Sequence, residues 1–270
     1  MKKIGFSTIL YLPQSAEIAV KKLGKKCKII EILYEFPQIP FDWKAVKEMK
    51  NSYDLDISVH APFYDINICS FFEPVRKISI KRIKESIKFC EYIEGDYVVL
   101  HPGHYPNFNK KLKEKAKKLF LKSMNEILNF GDSVKITLEN ESKAPAHKSL
   151  CYPSLEEMPK LLEEFGIKMT FDVGHAFITH KDKVLSIIKK YNKFIENFHL
   201  HDNNEKEDLH LIPFEKAEHR QIFRKIIRLV GNRKCIIEVG NKGSIYHETS
   251  NKIFQRCCSL LLKNLKNCKI

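Results

Sequence analysis

Six residues of metal-ligand type each close a short apolar run in this chain. They are His60 (DISVHAP), His101 (YVVLHPG), Glu139 (VKITLEN), Asp172 (IKMTFDVGH), His199 (FIENFHLHD) and Glu238 (KCIIEVG). Two short motifs add three more. Asp172-Val-Gly-His175 contributes His175, and Asp208-Leu-His210 contributes a pair that points one way if the segment is extended. Imidazoles and carboxylates together suit Zn²⁺, with Mn²⁺ or Fe²⁺ as alternatives, and the lack of cysteine in the set argues against a closed structural zinc site. At about three to five protein donors per ion, nine residues suffice for two or three ions. Such clusters activate water and stabilise both oxygens of an in-line phosphoryl displacement.

Each residue also has an ordinary structural role open to it. Asp172 and Asp202 suit helix caps, and Glu139 or Glu238 suits half of an ion pair. Agreement across six successive runs is what favours the metal reading. One local choice stays open: His199 and His201 share a strand face, so either suits the inward position, and His199 is favoured because it sits deeper in the run.

Something must bring these residues to one place. A strand of a parallel sheet reads as a continuous Val/Ile/Leu-rich stretch because both of its faces are buried. Such stretches occur near 2–8, 27–34, 55–60, 96–101, 134–139, 167–173, 194–201 and 234–239. Between them, apolar residues at three- and four-residue spacing predict helices near 14–24, 42–51, 75–93, 110–129, 154–164, 181–191, 214–230 and 247–265. Eight alternating pairs predict an α/β fold, a single (β/α)₈ TIM barrel over residues 1–270, with a metal site at the C-terminal face of the strands. The loops after the third, fifth and seventh strands are long and polar, as site-building loops are.

The 270 residues and 43% hydrophobic content fit one barrel with a sizeable core. No apolar run is long enough to span a bilayer, so no membrane partner is expected. The N-terminus reads as a first strand of a cytoplasmic protein. Eight cysteines without a CxxC pair read as reduced, buried thiols. The net charge of +14 suits a polyanion partner, but lysine runs such as KKLKEKAKKLFLK equally suit solvated helix faces. Phosphate-cradling loops of the GxxxxGK[ST] and GxGxxG types are absent, and no serine sits in a GxSxG elbow. His104, His147, His180, His219 and His247 lack strand-end context and read as surface or loop residues.

The motifs SVHAPFYDIN, LHPG, LEN, FDVGHAF, FHLHD, DLH and IIEVG resemble, in order, those of the xylose isomerase-like TIM barrel superfamily. That superfamily includes endonuclease IV-type AP endonucleases and sugar or sugar-phosphate isomerases and epimerases. Resemblance to the endonucleases implies up to three Zn²⁺ ions. His60, His101 and Glu139 would hold one. Glu139 would bridge to a second held by Asp172, His199 and Glu238. His175, Asp208 and His210 would hold a third. The implied reaction is hydrolysis of the phosphodiester 5′ to abasic sites in DNA, with Glu139 and Glu238 at the catalytic centre. Resemblance to the isomerases implies a smaller set of Glu139, Asp172, His199 and Glu238, with the two glutamates as acid and base on a sugar or sugar phosphate.

The chain departs from the endonuclease pattern at Phe63, where that family usually has tyrosine, and in SKAPAHKSL and LIPFEKAEHR, which replace Gly-containing segments. The loop YEFPQIPFDW has no arginine to press into a duplex. These changes spare the ligands and fall on the loops that would grip DNA. A metal phosphodiesterase is thus the first expectation, an isomerase or epimerase the second, and a non-catalytic nucleic-acid-binding barrel the third.

Overall fold

The computed structural model describes residues 2–36, 38–106, 110–131, 133–142, 149–240, 249–265 and 268–269. Eight apolar runs form parallel strands: β1 (Lys2–Ser7), β2 (Ile29–Leu33), β3 (Asp56–His60), β4 (Tyr97–Leu100), β6 (Lys135–Glu139), β8 (Lys168–Asp172), β9 (Ile195–Leu200) and β10 (Lys234–Ile237). Each pairs with its neighbour in that order, and β10 pairs back onto β1 from Lys3↔Lys234 to Phe6↔Ile237, closing an eight-stranded barrel. Gly5 makes a close approach possible beside that seam. A Cβ there would lie 2.6 Å from both the side chain and the carbonyl of Ile29 on β2.

The helices are α1 (Ala16–Gly24), α2 (Trp43–Tyr53), α3 (Glu73–Tyr92), α4 (Lys110–Leu128), α5 (Met158–Phe165), α6 (Val173–His180), α7 (Val184–Tyr191), α8 (Arg220–Val230) and α9 (Ser250–Asn264). Helix α8 shows why they lie where they do. Phe223, Ile226, Ile227 and Val230 recur at helical spacing and are all buried, while Arg224 and Lys225 face outward. Burying each such side chain stabilises by about 1.5–3 kcal/mol. Gly231, at φ +66°, ends the helix in a conformation that costs glycine nothing. Lysines 111, 115, 117 and 118 stand exposed on α4, so much of the positive charge is carried by outer helix faces.

Four elements depart from expectation. Helix α6 starts directly at Asp172, where the sequence pattern shows only a strand end. Its Val, Ile and Thr residues are weak helix formers, and Asp172 supplies the start by accepting from the His175 backbone N–H. The loops after β4 and β6 carry β5 (Gly103–Pro106) and β7 (Ser149–Tyr152), an antiparallel pair at one side of the barrel mouth. Neither four-residue segment has a strand pattern of its own; pairing across the fold creates both. A short β11 (Cys268–Lys269) joins the outer edge of β1.

Cys27, Cys69, Cys90, Cys235 and Cys257 are buried thiols in no disulfide, as small apolar fillers. No described helix is long and apolar enough to cross a membrane. His147 and His247 lie outside the described residues.

Candidate functional site

All six strand-end residues stand at one end of the barrel. His60, Glu139 and Asp172 are the last residues of β3, β6 and β8; His199 is one before the end of β9; His101 and Glu238 directly follow β4 and β10. His175 sits in the first turn of α6. Asp208 and His210 lie in a loop pinned by a reciprocal backbone bridge, Asp202 N–H to Leu211 O at 2.8 Å and Leu211 N–H to Asp202 O at 2.7 Å.

Donor atoms of these residues fall into four groups, three sharing members and one separate, each with its atoms within 4.8 Å of one another. They are His60/His101/Glu139; His60/His199/Glu238; Glu139/Asp172/His199/Glu238; and His175/His201/Asp208/His210. All nine residues singled out in the sequence are present, together with His201. The choice between His199 and His201 therefore dissolves: both rings turn inward, into different groups.

Glu139 is fully buried and has two working faces. One oxygen lies 3.2 Å from His60 Nε2 and 3.3 Å from His101 Nε2, and the other 3.2 Å from His199 Nδ1. His199 Nδ1 is also 3.4 Å from Glu238. In the outer group, Asp208 lies 3.3 Å from His175 Nε2 and 3.2 Å from His210 Nε2.

The imidazoles share a pattern. Nδ1–H of His60 donates to the Ala61 carbonyl at 2.8 Å, that of His175 to the Asn140 carbonyl at 2.9 Å, and that of His210 to the Glu238 carbonyl at 2.7 Å. His101 turns Nδ1 to Glu141. A carbonyl only accepts, so it fixes the proton on Nδ1 and leaves the Nε2 lone pair facing the cluster. This is how metal-binding histidines are oriented. His199 is reversed, with Nε2 3.0 Å from Glu31 and Nδ1 turned to the cluster.

Electrostatics follow from packing carboxylates against imidazoles. Burial disfavours charged His101, but Glu141 and Glu139 outweigh it and raise its pKa to about 10. Burial likewise opposes charge on His175 and His199, and their carboxylate neighbours hold both well above the usual value. Burial pushes Glu139 up, yet His199 and His101 hold it well below the usual range. For Glu238, His199 overcomes burial and brings the carboxyl down to about 2. A divalent cation would take the place of these protons. The donors fit such an ion: they are nitrogen and oxygen only, and buried Asp172 Oδ2 has no hydrogen-bond partner. Asp172 caps α6 with Oδ1, and its Oδ2 stays without a hydrogen bond inside the cluster.

Sequence reasoning missed several supporting residues. Glu31 sits in mid-strand, in the buried run IIEIL, and also accepts from Ser58 Oγ at 3.0 Å. Asn140 clasps the Asp172 backbone through both its amide oxygen and nitrogen, each at 2.9 Å. Glu35 accepts the backbone N–H groups of Phe63 and Tyr64, each at 2.9 Å, tying the loop after β2 to the loop after β3. A lone carboxylate inside a fully apolar run was the signal available for Glu31.

Above the donors opens a cavity of about 700 Å³, lined by His60, His101, His175, Asp208, His210 and Glu238 on one side and by Ile9, Leu12, Phe63 and Tyr64 among others. Phe63 stacks on His101 with ring centres 4.8 Å apart. No lysine or arginine is among the described lining residues.

Comparison with known proteins agrees with this architecture. An uncharacterized protein of Methanocaldococcus jannaschii, MJ1311, is 27% identical over 255 residues, covering 92% of this chain and 84% of that protein. A probable endonuclease 4 of Thermotoga sp. (strain RQ2) is 25% identical over 181 residues, covering 62% of each. The crystal structure of a D-tagatose 3-epimerase-like protein superposes with a TM-score of 0.76 at 23% identity, over 97% of this chain and 98% of that one. The family model described as xylose isomerase-like TIM barrel matches residues 18–253, and the chain belongs to that family.

Proposed function

We propose that the chain is a multi-metal phosphodiesterase, with Zn²⁺ the best-suited ion and Mn²⁺ an alternative, acting on DNA at abasic sites. The observation that carries this reading is the outer donor group of His175, Asp208 and His210 beside the Glu139-centred groups. An enzyme that holds a single ion would leave this group unfilled. The relatives named probable endonuclease 4 support the same reading. Buried thiols in no disulfide suit a reducing, cytoplasmic setting.

Bound divalent ions supply Lewis acidity, which activates water and takes up charge on phosphate oxygens. The chain's own residues do the rest. Glu139 offers one oxygen to His60 and His101 and the other to His199, so each oxygen would help its own histidines hold an ion. Glu238 faces His199 from the cavity side and is held as an anion near neutral pH. Phe63 over His101 keeps water off one flank.

A second reading, a sugar or sugar-phosphate isomerase or epimerase, is favoured by the cavity itself. Its volume of about 700 Å³ is that of a small-molecule site, its flank is apolar, and its described lining has no cation for a duplex backbone. Glu139 and Glu238 flanking one site would then be the acid–base pair. One experiment separates the two. The metal-loaded chain is incubated with an abasic-site duplex and, in parallel, with ketohexoses and their phosphates, with and without chelator. A chelator-sensitive nick 5′ to the abasic site supports the first reading. Epimerised sugar from a chain holding one ion, with no nick, overturns it.

A further inference from the structure

His201 is the residue that the resemblance does not account for. Its ring is buried and stacks on His210, with centres 4.0 Å apart and planes 12° off parallel. Its Nδ1 lies 3.4 Å from the Asp202 carbonyl, and its Nε2, which has no hydrogen-bond partner, points toward Asp172 at 3.2 Å and Asp208 at 3.7 Å. That is the pattern of His175 and His210: one ring nitrogen on a backbone carbonyl and the other turned into the group.

The fold makes room for this ring. A Cβ on Gly174 would lie 2.0 Å from His201 Cε1 and 2.3 Å from its Nδ1, so no other residue fits at 174 with the ring in place. Asn203 then fastens the same two segments by donating to the Gly174 carbonyl at 2.6 Å. His210 keeps its left-handed backbone, φ +49°, while donating to the Glu238 carbonyl. Such a conformation is uncommon outside glycine and persists when surrounding contacts fix it.

We infer that His201 is the fourth protein ligand of the outer group, so that His175, His201, Asp208 and His210 enclose a divalent ion with no coordination position left for water or substrate. Structural zinc sites usually contain cysteine, but what closes a tetrahedral site is a fourth protein donor, and His201 supplies it here, whereas catalytic sites keep a position open. The outer ion then fastens the loop from Asp202 to Leu211 to β9 and α6, and the chemistry falls to the groups joined by Glu139. The inference deepens the multi-metal reading above, but its test does not depend on the substrate.

The test uses Co²⁺ as a spectroscopic stand-in for Zn²⁺ in the full chain carrying Glu139→Gln and Glu238→Gln, which disables the inner groups. One Co²⁺ per chain is expected, with the intense visible absorption of a four-coordinate ion, unchanged by added inorganic phosphate. Adding His201→Gln should weaken binding on the order of 100-fold and give a paler spectrum that responds to phosphate, as an open position would. Gly174→Ala, which keeps every donor but displaces the ring, should shift the spectrum the same way and serves if His201→Gln does not fold. A phosphate-responsive spectrum before His201 is changed, an outer group that binds no ion, or the same affinity and spectrum in both variants would overturn the inference. Abasic-site cleavage by the unaltered chain is scored separately. A closed outer ion without cleavage defeats only the phosphodiesterase reading, and cleavage without a closed outer ion defeats only the inference.

Discussion

Two polar clusters sit at opposite ends of this barrel, and their bookkeeping differs. At the N-terminal end, Lys234 opens β10 and reaches across to Asp56, which opens β3, and to Asp96, 2.8 Å away, just before β4. Its ammonium also lies 5.4 Å over the Tyr97 ring. One buried cation meets two half-exposed carboxylates, and nothing is left over. At the mouth, Glu31, Glu139, Asp172 and Glu238 are buried together among imidazoles, and buried Asp172 Oδ2 has no hydrogen-bond partner. Buried polar groups left unmatched are costly, and a fold keeps them where something else supplies the partner. On the proposed reading the matched end serves stability and the unmatched end serves function, the division expected of this barrel.

Substitutions that treat the ends differently test that contrast. The largest effect is expected from Glu139→Gln, which removes the negative charge of the buried carboxylate and leaves one oxygen donor in place of two. Loss of the ions it joins should cost about 4 kcal/mol of transition-state stabilisation, roughly 1,000-fold in rate. Metal analysis by mass spectrometry alongside turnover checks it. A variant with full metal content and full rate would remove Glu139 from the centre.

Next comes removal of the metal itself. An ion at a concentration about 100 times its Kd stabilises the folded state by about 2.7 kcal/mol. Thermal melting with and without chelator should show that loss in the unaltered chain, and the shift should shrink in Glu139→Gln. An equal shift in both would mean that the ions bind elsewhere.

How far these residues were legible follows from the same physics. The eight barrel strands were readable because parallel strands are buried on both faces, and six of the nine candidate donors were readable because each stands where such a run ends. Glu31 was hidden because it lies inside a run, where a carboxylate interrupts the apolar pattern without marking any boundary. His201 was half-visible: the spacing to His199 put both on one face, and only the turn of the chain after Leu200 sends the second ring into a separate group. Helix α6 and the β5–β7 pair escaped because local propensity opposes the first and tertiary pairing alone makes the second.

A finer break is Glu31→Gln. It retains the volume and the bond from Ser58 but removes the charge facing His199 Nε2. Loss of such a supporting carboxylate typically costs 10- to 100-fold in metal affinity, or about 1.4–2.8 kcal/mol. Competition with a chromophoric chelator should show the drop with little change in melting temperature of the metal-free chain. Unchanged affinity would make Glu31 a structural partner of Ser58 alone.

The smallest effect belongs to the other end. Lys234→Met keeps the aliphatic stem packed on Tyr97 and removes the charge shared by Asp56 and Asp96. Stranding a fully buried charge costs about 3–5 kcal/mol. These two side chains are 44% and 39% exposed, so water takes over much of the solvation and a loss of about 1–2 kcal/mol is expected. That corresponds to about 2–8 °C in melting temperature for a chain of this size. Metal content and the chelator-induced shift should stay as in the unaltered chain, because Lys234 and Glu238 sit at opposite ends of β10. If Lys234→Met also lowered metal affinity, the two ends would be coupled through that strand, and the division between a stabilising end and a working end would fail.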